Sequence, residues 1–162
     1  VFNLYGDYDQ KLEEKGIDQS YFKTSFGGEE FVIAENYRNA FEITEYINKK
    51  LAKNMLPIGL HGSVQEIPYK MCEYKVDGRT AVIIKEITAE ALVALKMKNF
   101  ALFNVISKDN LTLDPSKLNL IAVADAKGLE FETVYVLNTD MSQNEKYVAY
   151  TRALKNLIVL SK

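Results

Sequence analysis

Leu118-Asn119-Leu120-Ile121-Ala122-Val123, Thr133-Val134-Tyr135-Val136-Leu137 and Leu157-Ile158-Val159-Leu160 are three short apolar runs in the last third of the chain. Between the second and the third stands Ser142-Gln143-Asn144-Glu145. Runs this short and rich in branched residues read as strands buried on both faces. The Ser and Glu are three apart, the spacing of a capping box, in which each side chain satisfies an orphan amide of the other's backbone. A helix is therefore expected from Gln143 to Leu154. Continuous apolar strands alternating with amphipathic helices imply an α/β fold, a mainly parallel sheet with helices on both faces.

Working outward from there, Ala81-Val82-Ile83-Ile84 repeats the buried-strand pattern, and Thr88 is placed to cap a helix carrying Leu92, Leu95 and Met97. Ala101–Ile106 reads as a further strand, followed by a polar connection containing Pro115. Earlier, Ala40, Ile43, Ile47 and Leu51 fall at helical spacing. They predict a helix from about Asn39 to Lys53, ended by Pro57 and Gly59. Phe31-Val32-Ile33-Ala34 and Val1–Tyr5 read as strands, with a weaker strand signal near Tyr69–Val76. Gly27-Gly28 marks a turn. No internal repeat or low-complexity segment is present.

The chain has 162 residues, 48% of them hydrophobic and 26% charged, enough to bury a real core in one domain. Its net charge of −2 is unlike that of a standalone nucleic-acid binder, which is usually basic. Any strand contact must be local or shared with another domain. A single cysteine, Cys72, excludes an internal disulfide and fits a reducing, cytoplasmic setting. No apolar run is long enough to span a bilayer. The opening at Val1, inside a strand-like run, reads as a cut from a longer protein. His61, the one histidine, reads as a surface residue without a partner suited to a metal or triad site. Cys72 reads as a small buried hydrophobe.

Four motifs carry chemistry. Arg152, near the end of the capped helix in Tyr147-Val148-Ala149-Tyr150-Thr151-Arg152-Ala153, could project a planar, permanently charged fork toward a phosphate. It could equally solvate a helix end and favour the dipole there. In Lys127-Gly128-Leu129-Glu130-Phe131, Gly128 permits a tight backbone approach and the Glu130 carboxylate can accept sugar hydroxyls; a solvated turn is the plainer reading. Asn36-Tyr37-Arg38 sits at a strand-to-helix turn, where helix amides favour anions. Gly6-Asp7-Tyr8-Asp9-Gln10 follows an apolar run and is a polar turn by itself.

In this order along one chain, the four resemble the motifs that follow the phosphate-binding loop in superfamily 1 helicases of the UvrD/Rep type. The resemblance covers nearly the whole chain and is dense at residues 1–10, 31–50 and 118–160. It implies a RecA-like second motor domain at 11–162, with residues 1–10 belonging to the preceding lobe. It implies that Gln10, Arg38 and Arg152 are catalytic, Arg152 as an arginine finger and Arg38 and Gln10 at the γ-phosphate. Gly128 and Glu130 would serve the nucleotide sugar, and Lys127 would touch nucleic acid. The family's Thr and His (or Ser) upstream of this loop are Ala122 and Ala124 here, too small for the corresponding polar contacts. The family's base-stacking segment after the glutamine is replaced by Lys11-Leu12-Glu13-Glu14-Lys15-Gly16.

No Gly-x-x-x-x-Gly-Lys-Ser/Thr run and no Mg²⁺-holding acidic pair is present. The chain therefore lacks its own P-loop, and ATP with Mg²⁺ is expected mainly on an N-terminal motor domain of the same protein. No metal site is expected on this chain, and the fragment alone is expected to be inactive. The implied activity is ATP hydrolysis coupled to 3′-to-5′ movement on single-stranded DNA, with RNA polymerase or repair proteins as further partners. Only roughly forty residues separate Ile84 from Lys127, leaving no room for the large inserted domain of UvrD-type enzymes. The compact, RNA-polymerase-associated forms suggest an alternative, a regulatory module that does not unwind. A helicase–nuclease subunit is a third reading.

Overall fold

The structure is a computed structural model that describes residues 10–12, 19–27, 33–95 and 103–161. Its frame is a six-stranded sheet in which every neighbouring pair is parallel. In chain order the strands are β3 (Ser63–Pro68), β4 (Thr80–Ile84), β5 (Phe103–Ile106), β6 (Leu118–Ala122), β7 (Phe131–Leu137) and β8 (Ala153–Ser161). Across the sheet they run β3-β8-β7-β4-β6-β5. A separate parallel pair joins β1 (Glu35–Asn36) to β2 (Leu56–Pro57). The helices are α1 (Gln19–Phe26), α2 (Phe41–Leu51), α3 (Ala89–Ala94) and α4 (Gln143–Tyr150).

The expected α/β class holds, and its cause is visible in β4, where all five residues are buried. Successive side chains on a strand point to opposite faces, so such a run needs cover on both. Ala81, Ile83, Val134, Val136, Leu157 and Val159 pack on one face with Ile43, Ile47 and Val148 from α2 and α4. Val82, Ile84, Tyr135, Leu137, Ile158 and Leu160 pack on the other with Leu92 and Leu95, in and just after α3. Cys72 is buried in that second layer, as expected of a small hydrophobe, and forms no disulfide.

Local signals place most elements. Thr88 accepts from the amide of Ala91, and both halves of the Ser142/Glu145 capping box form. Several boundaries differ from expectation. Helix α2 ends at Leu51, where Ala52 turns left-handed at φ 51°, well before Pro57 and Gly59. The Tyr69–Val76 signal lies just after the observed strand β3, whose exposed edge position dilutes its apolar pattern. Helix α4 stops at Tyr150, because Ala153 is already paired with Phe131 in the sheet. Helix α1 has no counterpart among the expected elements; Gly27 follows it at φ 55°, as a C-terminal cap. Ile33 and Ala34 are not in a strand; pairing begins at Glu35. The expected strand Val1–Tyr5, the Gly6–Asp9 turn, Phe31, Val32, Ala101 and Met97 lie outside the described residues.

Helix α2 is pinned at its start by Glu42. Its carboxylate accepts from the Gly62 amide at 2.7 Å and meets His61 Nδ1 at 2.8 Å. His61 is exposed, as expected, but it does have a carboxylate partner. The Gly62 amide, then His61, hold the Glu42 carboxyl down at about 2, from an ordinary 4.5. A depressed carboxyl stabilises the fold fully above its unfolded value, and that contribution disappears as pH falls through the folded one. Denaturation midpoints measured from pH 6 downward should therefore fall between about 4.5 and about 2. In Glu42→Gln this part of the decline should be shallower; an unchanged slope would show that the pair does not serve α2.

Candidate nucleotide-facing site

The site is built by strand register. Phe131 opens β7, Ala153 opens β8, and the two are partners. The Phe131 amide donates to the Arg152 carbonyl at 3.0 Å. The residue ahead of each strand, Glu130 and Arg152, is thereby brought to one place on the edge where β7 and β8 begin. Gly128 reaches this edge at φ 79°, the left-handed region. A Cβ there would meet nothing within 4 Å. Its role is backbone conformation, not the close approach that the sequence suggested.

Arg38 arrives from the loop between β1 and α2, and Asn39 fastens that loop. Fully buried, Asn39 donates from Nδ2 to the carbonyls of Thr151 (2.9 Å) and Ala153 (2.7 Å), on either side of Arg152. Asn36 completes the lock: its Oδ1 accepts from the Asn39 amide at 3.0 Å, and its Nδ2 donates to Asn39 Oδ1 at 2.9 Å. The Ala40 amide donates to Leu154, and that of Phe41 to Leu60. These two amides at the start of α2 are thus committed to the fold. Gly59 lets the chain pass close by, since a Cβ would stand 2.0 Å from the Asn39 carbonyl.

With the backbones so held, Arg38 Nη1 lies 3.0 Å from Glu130 Oε1, both side chains about 40% exposed. Arg152 is folded inward, 1% exposed. Its Nε donates to Val148 O at 3.1 Å, its Nη2 to Thr151 Oγ1 at 3.0 Å, and its Nη1 to Leu129 O at 3.4 Å. Thr151 in turn donates to the carbonyls of Tyr147 and Val148. The expectation of an outward-projecting guanidinium is not met; the fork is packed against the end of α4. Arg38 bonds Glu130, and Arg152 bonds the residue before Glu130, so these three residues lie together.

Gln10 stands differently. Its neighbour Lys11 accepts through its carbonyl from Asn144 Nδ2 at 2.9 Å, at the N-terminal turn of α4, whereas Arg152 follows the C-terminal turn. Lys127 is exposed in the turn before Glu130, and Ala124 is exposed after β6. One residue that the motifs do not include holds the site together. Asn39 is the clamp, and no pattern in a single sequence marks a buried amide that reaches across to another segment. Tyr37 is 66% exposed beside Arg38, its hydroxyl donating to Glu35 Oε2 at 2.7 Å.

At this edge the exposed Arg38–Glu130 pair lies beside the Arg152 guanidinium, which is packed inward on protein acceptors. Among the described residues no group of three or more His, Cys, Asp or Glu is placed to hold a metal. No helix among the described residues is long and apolar enough to cross a membrane.

No family model matches the chain, and no curated protein matches its sequence. Among solved structures it is similar to the C-terminal domain of a possible DNA helicase from Lactobacillus plantarum WCFS1. The identity there is 23% and the TM-score 0.47, over 78% of this chain and 87% of that one. It is also similar to arterivirus nonstructural protein 10, a helicase, at 14% identity and TM-score 0.44, over 78% of this chain and 24% of that one. Similarity at this level carries no assignment; a functional reading has to rest on the geometry of the site itself.

Replacing Asn39 by Ala leaves two carbonyls beside Arg152 without their donor. An unsatisfied buried polar group costs roughly 1–3 kcal/mol. Urea denaturation of Asn39→Ala should show a loss on the order of 2 kcal/mol or more. A loss confined to a few tenths would mean that the clamp is not structural.

Proposed function

We propose that the chain is a RecA-like second motor domain of an ATP-driven helicase or translocase, closing over ATP held by another domain. The observation that carries this reading is the meeting of Arg38, Glu130 and Arg152 at one sheet edge from segments far apart in sequence. Each lies in a motif that resembles the superfamily 1 set, and no composition effect would bring those three together. On this reading Arg38 and Arg152 address the terminal phosphate, Glu130 accepts from the ribose hydroxyls, and Tyr37 offers its ring to the base. Gln10 belongs to the segment that enters from the preceding lobe. The upstream domain supplies the phosphate loop and Mg²⁺, and single-stranded DNA is the track, followed 3′ to 5′.

Arg152 then has to exchange a protein acceptor for a phosphate oxygen. Of its bonds to Val148, Thr151 and Leu129, the one to the Leu129 carbonyl is the longest at 3.4 Å and the most easily given up. An arginine finger acts on the transition state and contributes roughly a thousandfold or more in rate. The regulatory alternative is not favoured by any specific observation.

The test uses the protein in which this domain is joined to its nucleotide-holding lobe. Arg152→Ala and Arg152→Lys should lower DNA-stimulated hydrolysis by roughly a thousandfold while ATP affinity changes little. Circular dichroism confirms that the variants remain folded. Equal loss of rate and affinity would assign Arg152 to ground-state binding. Absence of any stimulation by single-stranded DNA in the parent protein would overturn the motor reading.

A further inference from the structure

Arg38 and Glu130, which on the nucleotide reading serve opposite ends of one ligand, hold each other in its absence. Their backbones are not free to adjust. Asn39 ties the Arg38 loop to two carbonyls of the Thr151–Ala153 segment. Glu130 lies between Leu129, whose amide donates to Ala126 at 3.2 Å, and Phe131, whose amide donates to Arg152. The side chains, by contrast, face solvent at 41% and 40% exposure and share one bond. What can change at this edge is the pairing of these two groups, with the main chain as a fixed mount.

We propose that the Arg38–Glu130 ion pair is a latch, closed without nucleotide and opened by a ligand that carries both a polyphosphate and vicinal hydroxyls. This rests on the nucleotide reading of the site and adds to it how the two ends of the ligand are coupled. An exposed ion pair contributes little net stability. A polyphosphate with several negative charges therefore competes well with one carboxylate for Arg38. Opening the pair leaves Glu130 charged beside the incoming anion, and like charges at short range repel. The repulsion is offset once the carboxylate accepts hydrogen bonds from donors, which a ribose diol supplies and a bare polyphosphate does not. The latch thus makes Glu130 an obstacle to phosphate alone and a ligand for phosphate that comes with a sugar.

The closing experiment titrates the protein in which this domain is joined to its nucleotide-holding lobe with tripolyphosphate, ATP and a dideoxy-ATP lacking both ribose hydroxyls, at millimolar concentrations. Isothermal titration calorimetry follows binding in every variant, and heteronuclear NMR of the Arg38 side chain follows the ion pair wherever Arg38 is present. Glu130→Ala should tighten tripolyphosphate several-fold and abolish the preference for ATP over its dideoxy analogue. Glu132→Ala is the control for net charge, since Glu132 is the next carboxylate along β7, paired with Arg79 at 3.0 Å. It should leave both properties as they are. If Glu130→Ala leaves tripolyphosphate binding unchanged or weaker, or Glu132→Ala reproduces its effect, the latch is overturned. Arg38→Ala separates the two ideas. Weaker binding of all three ligands there, with no effect of Glu130→Ala, sinks the latch and keeps the nucleotide reading. No effect of Arg38→Ala on any ligand sinks the nucleotide reading itself.

Discussion

The pairing of Phe131 with Ala153 governs this molecule's candidate site. Two parallel strands that start in register bring their lead-in residues together, and here those residues are Glu130 and Arg152. The amide of Phe131 is committed to the Arg152 carbonyl, so neither lead-in can slide without breaking the first rung of the ladder. A slip of one residue would also turn Val134 and Val136 away from their layer, because side chains alternate between faces. The ladder shifts by one residue between Phe131 and Thr133, so the first rung is held by its own hydrogen bond and the buried register begins at Thr133.

Charge is handled differently at the two ends of α4. At its start, Ser142 and Glu145 close the backbone donors with a capping box. At its end, the Arg152 guanidinium takes the Val148 carbonyl while Thr151 takes those of Tyr147 and Val148. A cation is favourable at a helix C-terminus, where the unsatisfied carbonyls carry partial negative charge. The plain structural role of Arg152 and the proposed catalytic one are therefore compatible. The helix end stores the fork, and one of its bonds runs to the loop that carries Glu130.

Asn39 connects the remaining pieces. Its amide reaches the carbonyls flanking Arg152, and its loop presents Arg38 to Glu130. Buried polar groups of this kind specify one arrangement, because any other leaves donors or acceptors without partners. The loop, the end of α4 and the start of β8 consequently behave as one mount for three charged side chains.

Strand and helix identity in the last third of the chain followed from local pattern alone. Val134-Tyr135-Val136-Leu137 and Leu157–Leu160 are apolar throughout, and Ser142 with Glu145 announces a helix start by hydrogen-bond chemistry within four residues. Weak patterns misled where an element lies at an edge, as with β3, or where a helix is cut short by sheet pairing, as at Tyr150. The chemistry-bearing motifs were legible as residue types in order. Their meeting at one edge, the inward fold of Arg152 and the Asn39 clamp were decided only in three dimensions. Local sequence sets which groups exist and how each segment curls; contacts between residues more than a hundred positions apart, such as Asn39 with Thr151, exist only once packing has chosen the strand order.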